Sequence, residues 1–469
     1  MPNDRSTSST SRRKFLLGAL ALGGVGLVTA CSGAGNSSQS QLSAAADATR
    51  TAAQAAQAQP SAAATAAPAQ APAAPTGATT IQFWSRFDFL QGAIGLYNDE
   101  AKQKGKNVFV NFTTVPGAQM VEKLTTALAS KSQPDIMSLD LVQCPYFNSL
   151  GAFVDISSRV NSLAYKDEFA QGMRKLGEYP AGSGKQFQLP FSADNSALIW
   201  NKSIFQDGGL DPEKGPQTFE EFRQAAIKTT RAPDRYGMAF DGQTGGSFMF
   251  RFMPFVWANG GEYLNPEGTR SLINSPQVLQ ALQLWVDMIQ QDKVAPQGAH
   301  TWSSDDVRGA FVGGKVAMML NGNAQVALLN HDAPNLNYGI TLIPGPTSDK
   351  HASFAGGDML GIVAGTKLEQ ETWDLMQFLT SDKVQVDYLA KAGTIPIRTS
   401  FYTNPYFDKE PRYQVFTRSL EVAHAPWTLK YNRLYDSLQA NLQSALAGTK
   451  TAQQALSEIE VVHNKILAS

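Results

Sequence analysis

The chain has 469 residues, a formal net charge of -1 and two cysteines. That balance excludes the basic excess of a nucleic-acid binder and the acidic run of a solvating tail. With one cysteine in the N-terminal leader there is no internal disulfide, and Cys144 is expected to be a partly buried small residue.

The leader holds Arg12 and Arg13, an apolar run over residues 15–28, and then "VTAC" ending at Cys31. This is the charged region and apolar region of an export signal, too short and too Gly-rich for a comfortable membrane span. "SRRKFL" resembles a twin-arginine signal, with the general secretory route as the alternative. "VTAC" resembles a bacterial lipobox, in which cleavage leaves Cys31 as a lipidated N-terminus. Residues 32–78 are rich in Ala, Pro and Gln, have almost no large apolar side chains, and read as a disordered tether. Residues 79–469 are too many for one average core and suit two lobes.

In the folded part "TTIQFW" reads as a strand and "FLQGAIGLYNDEAKQKG" as a helix ending at Gly105. "NVFVNFTTV" alternates like a strand, "AQMVEKLTTALASK" is an amphipathic helix, and "DIMSLD" is a short apolar strand. This alternation is the signature of a parallel sheet with helices on its faces, where ligands meet the carboxyl ends of strands. Trp84 and Asp140 end two of these strands. "FQLPFSADNSALIWNKSIF" is too long for one strand, and its polar break suits a crossing between lobes. Thr218 with Glu221 forms a capping box, and Ser275 with Pro276 opens another helix, whose Trp285 lies on the core-facing side. The C-terminal quarter is mostly helical, with Gly448 ending one helix and Thr449 or Thr451 capping the next.

"GAFVGGKV", residues 309–316, approaches a phosphate-binding loop but fails its chemistry. Val316 stands where a Mg²⁺-binding hydroxyl is needed, and the order is helix then strand instead of strand then helix. The stretch reads as a helix capped by Ser303 or Ser304. Gly313 or Gly314 ends it in a left-handed conformation, and a buried strand then finishes at "NGN", residues 321–323.

The segment "AFVGGKVAMMLNGN" is similar to the signature of family 1 extracellular solute-binding proteins, the sugar receptors of ABC importers. "LPFSADNSALIWNKSIF", "TFEEF", "WANGGEYLN", "YGITLIPGP", "FAGGDMLGI" and "GTIPIRTSFY" follow the family's order, and the resemblance covers residues 79–469. It implies an α/β, two-lobed periplasmic-binding-protein fold of type II, with a ligand cleft between the lobes and a helical C-terminal region. The implied first lobe is residues 79–189 with 305–354, and the second is 190–304 with 355–469. Crossings fall near "PFSAD", Ser303 and "FAGGD".

A sugar needs flat aromatic faces for its C–H surfaces and planar polar groups for its hydroxyls. Trp84, Trp257 and Trp302 are the stacking candidates. Asp140, Asp194, Asn195, Asn321, Asn323, Asp358 and Arg398 are the polar candidates, with Arg86 and Glu262 behind them. Gly356 and Gly357 let a ligand approach the backbone. Asn323 stands where the family often has an aromatic.

The resemblance therefore implies a non-catalytic receptor that captures a carbohydrate by hinge closure. It would be lipid-anchored on the outer face of the bacterial cytoplasmic membrane and would deliver its ligand to the transmembrane subunits of an ABC permease. A monomer is expected, with no cofactor, metal or nucleic acid. Two alternatives stay open: the same fold binding a glycerol phosphodiester, polyamine or metal, and an exported glycosidase, which would need two carboxylates flanking a bond.

Overall fold

The computed structural model of the chain describes residues 74–469, and these form one compact unit. The leader, with Arg12, Arg13 and Cys31, and the tether up to residue 73 lie outside the described residues. Among the described residues no helix is long and apolar enough to cross a membrane.

Strand β1 (Thr79–Ser85) alternates, burying Ile81, Phe83 and Ser85 on one side. Helix α1 (Leu90–Gln103) lays Leu90, Ala93, Ile94, Tyr97 and Ala101 on the sheet, a helical spacing of three and four. Strand β2 (Val108–Thr114) pairs with β1 in parallel, helix α2 (Gly117–Ser130) follows, and β3 (Ile136–Asp140) pairs in parallel on the other side of β1. All three strands therefore end at the same edge. After β3, Cys144 is fully buried and unpaired, and burial pushes its thiol well above the ordinary range.

Strand β4 (Leu189–Asn201) has 13 residues, more than one sheet requires. Helix α3 (Phe219–Thr229) starts at the reciprocal cap between Thr218 and Glu221. Strand β5 (Tyr236–Phe240) leads into α4 (Gly245–Ala258), capped by Thr244 and buried on nearly every side. Helix α5 (Pro276–Val286) carries Trp285, around which Phe240, Phe248, Phe252 and Phe255 pack with ring centroids 4.5–6.2 Å away. This aromatic cluster is the core of the second lobe.

Helix α6 (Ser304–Val312) is capped by Ser303 and Asp306, each accepting the other's backbone N–H. It ends at Gly313, and Gly314 takes the left-handed turn, φ +68°, before β6 (Val316–Gly322). Strands β7 (Tyr338–Thr341) and β8 (Ser353–Ile362) follow. The chain closes with α7 (Tyr413–Glu421), a two-residue strand β9 (Ala423–His424), α8 (Tyr431–Leu446) and α9 (Ala452–Ala468).

The strands run in the order β2-β1-β3-β8-β4-β6-β5, with β7 beside β4 and β9 beside β8. Residues 189–195 of β4 pair with β8, whereas residues 196–201 pair with β6 and β7. Residues 358–362 of β8 pair with β3. Both long strands thus pass from one lobe into the other. The sequence-based lobe boundaries need correction. Strand β6 pairs with β4 and β5, not with β1–β3, so residues 305–354 belong with the second lobe. The far half of β8 and the helix Glu369–Leu379 belong with the first, where Phe378 packs edge-on against Tyr97 at 5.2 Å. Ser303 caps a helix within the second lobe and is no crossing. Periodicity marks a buried strand but does not name its partner, so the pattern alone does not set this boundary.

Candidate ligand cleft

The parallel pairs β1–β3 and β5–β6 point their carboxyl ends at one another across the two crossing strands. Between them lies a cavity of about 690 Å³. Arg86 enters it after β1, Asp140 after β3, Asp241 after β5, and Asn321 and Gly322 at the end of β6. Asp194 comes from β4, Gly356 and Gly357 from β8, and Tyr431 and Tyr435 from α8.

Charge dominates the walls. Arg86 lies between two aspartates, with Nη1 2.8 Å from Asp140 Oδ2 and Nη2 2.6 Å from Asp358 Oδ1. Burial works against its charge, but the two carboxylates more than compensate and raise its pKa. Asp358 is fully buried and also accepts a 2.7 Å hydrogen bond from Ser138 Oγ. Burial raises its pKa against the pull of Arg86. Across the cleft, Arg251 is 6% exposed. Its Nη2 donates to Asn321 Oδ1 at 2.9 Å and lies 3.6 Å from Asp241 Oδ2, while its Nε has no partner. Burial lowers its pKa, with Asp241 and Asp194 opposing.

Asp194 sits between these two clusters without a pair of its own. Its Oδ1 is buried, accepts no hydrogen bond, and faces Gly322, where a Cβ would come within 2.6 Å of it. Burial pushes its pKa up to about 6, although Arg251 and Arg86 both pull it down. The aromatic surfaces are Phe250 with Phe354, centroids 5.5 Å apart, and Tyr431 with Tyr435, 5.7 Å apart. At the mouth, Gln143 Nε2 donates to Asn432 Oδ1 at 2.7 Å and so joins the first lobe to α8 of the second. Gly357 has φ +117°, and a Cβ there would lie 2.0 Å from the Ser192 carbonyl oxygen, so only glycine fits this strand contact.

Of the residues singled out in the sequence, the structure brings Asp140, Asp194, Asn321, Gly356 and Gly357 to the cavity wall, together with Arg86. Asp358 stands directly behind Arg86. The others lie elsewhere. Trp84 on β1 is partly buried against the core and not in the cavity lining, and Lys123 Nζ lies 4.6 Å from its ring. Trp257 is 8% exposed, stacked on His424 at 5.3 Å and packed against Phe354. Trp302 is half-buried outside the cavity, and its carbonyl accepts from the backbone N–H groups of Gly242 and Gln243. Asn195 is fully buried and donates to Ser419 Oγ and the Phe416 carbonyl, tying α7 to β4. Asn323 is buried beside it and donates to the Gly393 carbonyl at 3.2 Å. Arg398 pairs with Glu168 at 2.9 Å between the rings of Tyr165 and Phe401. Glu262 lines a separate surface groove. Among the described residues no cluster of His, Cys, Asp or Glu is arranged to hold a metal.

Sequence reasoning missed Arg251, Asp241, Phe250, Tyr431 and Tyr435. Arg251 had a signal: a lone cation in "FMFRFMPF" must be buried with a partner. Asp241 follows β5 directly, and the carboxyl-end rule applied to β1 and β3 would have reached it.

A family model described as bacterial extracellular solute-binding protein matches residues 97–415, more than half of the chain. The chain belongs to this family. Among curated relatives, the diacetylchitobiose binding protein DasA of Streptomyces coelicolor is 25% identical over 65% of this chain and 69% of its own length. The sn-glycerol-3-phosphate-binding periplasmic protein UgpB of Salmonella typhimurium is 25% identical over 81% of this chain and 90% of its own. Among solved structures, the sugar-binding protein MalE of Xanthomonas citri superposes with a TM-score of 0.75 at 23% identity, over 83% of this chain and 98% of MalE. That likeness shows the two-lobed, type II binding-protein fold, with the cleft between the lobes.

Proposed function

We propose that this solute-binding protein captures a carbohydrate between its lobes and presents it to the membrane subunits of an ABC importer, releasing it unchanged. The observation that carries the reading is the cleft itself. Its volume of about 690 Å³ lies within the range of small-molecule sites. Its walls combine carboxylate acceptors, Asn321 and Arg251 with the faces of Phe250, Tyr431 and Tyr435, the two surfaces that a polyhydroxylated ring requires. The likeness to DasA, a diacetylchitobiose binding protein, and to MalE, a sugar-binding protein, supports it. The strands β4 and β8 serve as the hinge, and the Gln143–Asn432 bond as a contact of the closed form.

The same reading places the chain outside the cytoplasm, held to the membrane through a lipid on Cys31 by the "VTAC" motif and set off by the tether over residues 32–78. A thermal-melt panel of the purified full chain against mono-, di- and oligosaccharides, glycerol 3-phosphate, spermidine and divalent metals tests the function. A ligand at about 100 times its dissociation constant stabilises the folded state by about 2.7 kcal/mol. A shift with one sugar class, the sugar being recovered intact, is the expected result. Hydrolysis of the sugar, or shifts only with non-sugars, would overturn it.

A further inference from the structure

Building on the reading of this cleft as the ligand site, we propose that Asp194 makes it selective by charge. The cleft takes ligands that bring hydrogen-bond donors, hydroxyl or protonated amine, to Asp194, and it turns away phosphorylated ones. Both arginines that a phosphate would seek are already engaged. Arg86 is held by Asp140 and Asp358, and Arg251 by Asp241 and Asn321. Two arginines face four aspartates, so the site carries an excess of negative charge even before a ligand arrives. Asp194 is the one among them whose Oδ1 is buried with no hydrogen-bond partner.

An opposing feature weighs less. The N-terminus of α4, with Gly246 and Ser247, opens on the cavity. It presents about half a positive charge, partly spent on the Thr244 cap. Asp194 is a whole negative charge shielded from water, so its repulsion of a second anion at close range outweighs that partial charge. The ligand's inner face must therefore donate. That sets this chain apart from UgpB, an sn-glycerol-3-phosphate-binding protein, whose ligand is an anion.

The test is calorimetric titration of the full chain at pH 8 with glycerol 3-phosphate, glycerol and spermidine, repeated on Asp194→Asn. Asp211→Asn, on the exposed surface, controls for net charge alone. The wild type and Asp211→Asn are expected to bind glycerol 3-phosphate no better than glycerol. Asp194→Asn should gain about tenfold or more for the phosphate and lose at least as much for spermidine. Wild-type binding of glycerol 3-phosphate in preference to glycerol overturns the proposal. So does failure of Asp194→Asn to change the order of the charged probes. The carbohydrate reading fails separately: a chain that takes spermidine but no sugar keeps the charge selectivity and loses the sugar.

Discussion

Arg86→Met is expected to lower the unfolding free energy by about 3–5 kcal/mol, the usual cost of removing one partner of a buried ion pair. The cost comes from what is left behind. Asp358 is fully buried, and without Arg86 only Ser138 donates to it. Asp140 loses its counter-ion at the same time. The stranded Asp358 carboxyl escapes by taking up a proton, so the deficit should be greatest at high pH and shrink as the pH falls. Urea unfolding at pH 8 and pH 5 measures this. Arg86→Met/Asp358→Leu should regain part of the loss, because the second change removes the uncompensated charge. A single variant within ~1 kcal/mol of the wild type at pH 8 would show that the pair is not held in the folded state as described.

Asp194→Asn is expected to act in the opposite direction and stabilise the ligand-free protein. A carboxyl whose pKa is pushed up to about 6 in the folded chain binds a proton there more readily than in the unfolded chain. Between pH 4 and 6 the native state thus holds more protons, and stability falls as the pH rises through that window. Above pH 6 the full cost of the buried charge is present, on the order of 3 kcal/mol. An amide never ionises and escapes it. The variant should therefore unfold at higher urea than the wild type at pH 8 and at the same urea at pH 4. A gain independent of pH would rule out burial of the Asp194 charge as its source. The groups facing Asp194 are Arg86, Asp140 and Arg251, and none of them is altered by the substitution.

Much of the fold was legible because local rules decide it. The alternation in β1, the reciprocal cap at Thr218 and Glu221, and Pro276 at the start of α5 are each fixed by residues within one turn or one strand. The site was legible only where the carboxyl-end rule applied, as at Asp140, or where a polar break interrupted an apolar strand, as at Asp194. The tryptophans misled for a physical reason. A large flat ring satisfies a sugar and a core equally well, and nothing local to "FVWANGG" says that His424, from 167 positions further on, lies against it. The lobe boundary failed in the same way, since the partner of β6 is set by a strand more than a hundred residues earlier.

The passage of β4 and β8 through both lobes has a mechanical consequence. Two adjacent hydrogen-bonded strands form a short ribbon, stiff to sliding along its length because any slip breaks the whole ladder at once. Bending across its face breaks no ladder bond. The ribbon is weakest where the register shifts between Pro190 and Ser192 and where Gly356 and Gly357 stand opposite Asp194 and Ala193. It therefore acts as a leaf spring with one compliant axis. On the proposed hinge the lobes would be guided along a single arc, and Asp194, Gly356 and Gly357, which line the cavity, stand where the ribbon bends. A solute in the proposed cleft would thereby be felt at the pivot, where a small local change in backbone angle is multiplied by the length of the lobes into a displacement at the rim.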